Sequence, residues 1–78
     1  MENNSQLPQM TPAERETENE ANRLMEQIEN ALAIVAIRSN DDGHSLEALA
    51  DRLERASRDL ASAIRELARE RRTALEEN

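Results

Sequence analysis

Few residues in this chain could do chemistry, and they stand apart from one another. His44 is the one histidine, and it follows Asp41, Asp42 and Gly43. An imidazole beside two carboxylates is a donor set that a divalent cation can use. The alternating oxygen ligands of a calcium loop are absent, however, so the segment reads as a solvated turn. The chain has no cysteine, hence no thiolate nucleophile, no thiolate metal site and no disulfide. No serine–histidine pair comes with an orienting group, and no glycine-rich loop could cradle phosphate. The carboxylates recur on helical faces open to water, where nothing would raise a carboxyl pKa toward acid–base work. The expectation is a non-enzyme, with no metal and no cofactor.

Two other groupings could bind without reacting. Arg58, Arg65, Arg69 and Arg72 recur along one side of a helix with Ser62 among them, which makes them a candidate nucleic-acid face. The second grouping is the run Ala31-Leu-Ala-Ile-Val-Ala-Ile37, seven apolar residues in a chain that is 35% charged. A helix packed on one neighbour needs only a stripe, whereas this run is apolar all round for two turns. Ala33, Ile34 and Ile37 make a second apolar face there, and Leu46 joins it across the turn. An exposed patch of that kind marks an interface.

These groups need elements to position them, and the pattern gives two helices. Thr11-Pro12-Ala13-Glu14 is a capping box with proline at the first helical position. Glu16, Glu18 and Glu20 follow, where negative charge suits the positive end of the helix dipole. The expected inward stripe is Ala21, Leu24, Met25, Ile28, Ala31, Leu32 and Val35, at spacings of three and four. Ser39-Asn-Asp-Asp-Gly-His44 breaks the pattern with the chain's single glycine, and Ser45 is the expected cap of a second helix. In that helix Leu46, Leu49, Leu53, Ala56, Leu60, Ala63 and Leu67 keep heptad spacing. The fold class expected is all-α: an antiparallel two-helix hairpin, with helices about 12–38 and 45–75, a turn over 39–44 and a flexible arm over 1–10. The hairpin would set the acidic start of the first helix beside the Arg-rich end of the second. Arg71, which falls on the apolar stripe, is expected to form a structural ion pair with Glu14 or Glu18.

Composition bounds what such a hairpin can be. Seventy-eight residues without Phe, Tyr or Trp make a small core, because aromatic side chains carry much of the burial in most domains. Self-association into a homodimeric four-helix bundle is the expected remedy. A net charge of −7 disfavours nucleic acid and anionic membrane as partners. No apolar run is long enough to span a bilayer, and no secretory signal is apparent, so a cytoplasmic setting is expected.

In architecture, an antiparallel hairpin dimer with an Arg face resembles the Rop-like bundles, and that resemblance implies RNA or DNA binding through Arg58, Arg65, Arg69 and Arg72. The acidity of the chain departs from it, and without aromatics there is no stacking platform for single strands. The expected function is therefore protein binding: a small acidic inhibitor or adaptor, of a kind carried by phages and mobile elements, that docks on a larger protein. The alternatives are the Rop-like nucleic-acid binder and a structural subunit or co-chaperone of a larger assembly.

Overall fold

The computed structural model describes residues 9–36 and 43–77. Among the described residues there are two helices and no strand: α1, Pro12–Ala36, and α2, His44–Glu77. Residues 1–8 of the expected arm, Ile37 and Arg38 at the end of the expected first helix, and residues 39–42 of the expected turn lie outside the described residues. The helical hairpin expected from the pattern is present.

Helix α1 starts as the capping box dictates. The Thr11 backbone N–H donates to Glu14 Oε1 at 3.0 Å, and the Glu14 N–H donates to Thr11 Oγ1 at 3.1 Å. Two donors that a helix start leaves unpaired are thereby satisfied. The Thr11 hydroxyl in turn donates to Glu70 Oε1 at 2.7 Å, which ties the start of α1 to the last third of α2. The cap of α2 differs from expectation. It is Gly43, not Ser45: the Glu47 N–H donates to the Gly43 carbonyl at 2.9 Å. Gly43 has φ of 98°, a conformation that is cheap only without a Cβ, so the chain's one glycine sits where the backbone needs it.

Three contacts fix the register of the hairpin. Thr11 meets Glu70. The Thr17 hydroxyl lies 2.9 Å from the Ala13 carbonyl and 3.3 Å from that of Ala63. Arg52 Nε donates to Gln27 Oε1 at 3.2 Å. Side chain-to-backbone contact across the pair means the helices approach closely, as small residues on both sides allow. On α2 the sheltered positions are Leu49, Leu53, Ala56, Leu60, Ala61, Ala63, Leu67 and Glu70; all but Ala61 and Glu70 are the heptad line anticipated from Leu49 onward. On α1 they are Ala13, Glu14, Thr17, Glu20, Ala21, Leu24, Gln27, Ala31 and Ile34.

That second set corrects the sequence reading. Met25, Ile28, Leu32 and Val35, expected to face α2, are exposed. The apolar arc of α1 is wider than one neighbour can cover. Helix α2 takes the edge carrying Leu24, Ala31 and Ile34, where Ala31 lets it come near, and leaves the rest. The seam itself is thin. Its buried apolar residues are Leu49, Ala56 and Ala63, and Glu20 is buried beside them. The shortest principal dimension of the molecule is 13 Å, about one helix diameter, whereas stable domains stack two layers around a core.

Candidate protein-binding face

The exposed apolar residues are not scattered. On α1 they are Met25, Ile28, Leu32 and Val35; on α2 they are Leu46, Ile64 and Leu75, with the exposed Ala50, Ser57 and Ala68 in line between them. At about 100° per residue, each stripe lies roughly 90° round its helix from the seam, in the same rotational sense. The two helices run antiparallel and face one another. Equal rotations of the same sense therefore bring both stripes to one side of the hairpin. Leu32 is 67% exposed and Val35 79%, so α2 gives them little shelter.

The opposite side is polar. There, between the start of α1 and the end of α2, a groove of about 1090 Å³ is lined by Glu16, Glu20, Asp59, Glu66, Glu70 and Glu77, with Arg69 as its one base. Glu20 is buried at the groove wall and pairs with Arg23 at 3.1 Å. Arg69 pairs with Glu66. The hairpin thus has an apolar side and an acidic side.

At the open end of the apolar side, Arg71 Nη2 donates to Glu14 Oε2 at 3.3 Å. The Glu14 carboxyl is held below the usual glutamate range, first by the hydrogen bond from the Thr11 backbone and then by that from Arg71. Arg71 is well exposed, so the ion pair adds little to stability. It does fill the end of the apolar stripe with a neutralised pair.

The other expected site residues are placed as follows. Ala33 is exposed and Leu46 is exposed, but the helical rotation sets them on opposite sides of the hairpin. Ile34 is half-buried toward α2. Ile37 lies outside the described residues. The set Ala33, Ile34 and Leu46 is therefore not one surface, and Leu46 belongs with Met25, Ile28, Leu32 and Val35 instead. The sequence signal for that face was present, as the centre of the α1 apolar arc. Reading the arc as one neighbour's seam concealed it.

Arg58, Arg65, Arg69 and Arg72 are all exposed; by helical rotation they lie away from the seam, and Arg69 also reaches the rim of the acidic groove. The same line carries Asp51 and Glu54 before them and Glu76 after, so the basic stretch is bracketed by acids. Compared with family models, curated proteins and solved structures, the chain matches none. Among the described residues, no cluster of three or more His, Cys, Asp and Glu could hold a metal ion, and no helix is long and apolar enough to cross a membrane. Asp41 and Asp42, the expected companions of His44, lie outside the described residues.

Proposed function

We propose that this chain works by binding protein, without chemistry of its own, and that the face made by Met25, Ile28, Leu32, Val35 and Leu46 is its docking surface. The observation that carries the reading is the exposure of these large apolar side chains together on one side of a hairpin whose own seam is thin. Contiguous apolar surface of this kind is costly to leave in water and marks sites of association. A four-helix bundle made from two hairpins is one way to cover it. Docking on a larger protein as a small acidic inhibitor or adaptor, in the cytosol of the cell of origin or of a host infected by a phage, is another use of the same face. The bracketing of the Arg line by acids weighs against the nucleic-acid alternative.

The test is capture from lysate by tagged wild type and by the double variant Ile28→Asp/Leu32→Asp, followed by mass spectrometry and a nucleic-acid stain. The expected result is a protein, of this sequence or another, held by wild type and lost by the variant, with the variant still helical. Nucleic acid retained equally by both forms and no protein lost would overturn the reading.

A further inference from the structure

Resting on that reading, we infer that the occupant of the apolar face is a second copy of this chain, related by a two-fold axis parallel to the helices, so that both turns lie at the same end of a four-helix bundle. The face is open. Met25, Ile28, Leu32, Val35 and Leu46 are each 45–79% exposed, and a two-fold association covers such a face with its own copy.

The distribution of side-chain size sets the orientation. The register puts Val35 level with Leu46, Leu32 with Ala50, and Met25 with Ser57 on the same face. Large residues stand on α1; beside Leu32 and Met25 the α2 positions are the small Ala50 and Ser57, while Val35 stands beside Leu46. A two-fold axis along the bundle lays α1 of each copy over α2 of the other at the same level. Leu32 then meets Ala50 and Met25 meets Ser57, the large-against-small interdigitation that close-packed layers use. The perpendicular alternative lays α1 on α1, which sets large residues against large, and α2 on α2, which sets small against small. With full overlap it would also place Leu32 and Val35 over the other copy's Glu14, Glu18 and Arg71, where apolar side chains would desolvate charge. In the parallel arrangement those charges stay at the open end, and each Arg71 approaches the other copy's Glu14 turn, so opposite charges face across the two-fold axis.

The chain has no cysteine, so single cysteines report the geometry without interference. Leu32 and Ala50 are exposed in the hairpin, and cysteine at either leaves its seam intact. The experiment mixes Leu32→Cys with Ala50→Cys under mild oxidation and compares each variant alone, with Met25→Cys, near the level where the perpendicular axis would cross α1, as the marker of that arrangement. Disulfide dimer formed in the mixture and not by either variant alone is the expected result. Self-crosslinking by Met25→Cys with none in the mixture would overturn the orientation and leave the docking face standing. A second measurement is energy transfer between donor- and acceptor-labelled His44→Cys chains. It is high when the turns share an end, and low when they lie about a helix length apart. No crosslink and no transfer, with wild type sedimenting as a single chain, would overturn the second copy as occupant. The lysate capture would then judge the docking face by itself.

Discussion

Thr11 holds two elements together. It caps α1 reciprocally with Glu14 and donates its hydroxyl to Glu70 on α2. The cap was legible because a capping box is a local pattern, which needs only its own four residues. Gly43 was legible as a turn but not as a cap: Ser45 offered a better side chain, and only the backbone at φ 98° shows why the glycine was used. Glu14 carries a pH prediction. Its folded-state pKa is lowered by Thr11 and Arg71, so folding favours the carboxylate. The contribution to stability is fully present above the ordinary glutamate range and is lost as the pH falls through the lowered value. Glu14→Gln should therefore melt slightly below wild type at neutral pH, with the gap closing in acid. Thermal melts across pH check this, and a gap that persists at low pH would mean the charge contributes nothing.

Each helix has its own apolar geometry, and the two were not equally readable. On α2, heptad spacing from Leu49 to Leu67 names the inner line, because Ile64 is the one large apolar residue between its members. On α1 the apolar arc is too wide to name a direction, and only its edge packs against α2. Which part of an arc a neighbour takes depends on how near that neighbour can come, and this is decided by small residues on both helices. Ala63 is such a residue, buried at 4% exposure with the Thr17 hydroxyl 3.3 Å from its carbonyl. Ala63→Leu should push the helices apart and cost about 1–3 kcal/mol, read as a shift in the urea midpoint. An unchanged midpoint would mean the seam is not close-packed at this level.

For the whole molecule, the decisive property is its thinness. Chain length and the absence of aromatics foretold a small core, but the side left bare follows only from the rotation of both helices about their seam. A layer of two helices with one apolar side and one acidic side has an unambiguous surface to cover. Sedimentation equilibrium of wild type and Ile28→Asp/Leu32→Asp over a range of concentrations tests this most directly. Wild type should approach twice the 8.8 kDa chain mass as concentration rises, and the variant should stay at the single-chain mass while keeping its helical content. Wild type at the single-chain mass throughout, or a variant that dimerises as readily, would contradict a second copy on this face.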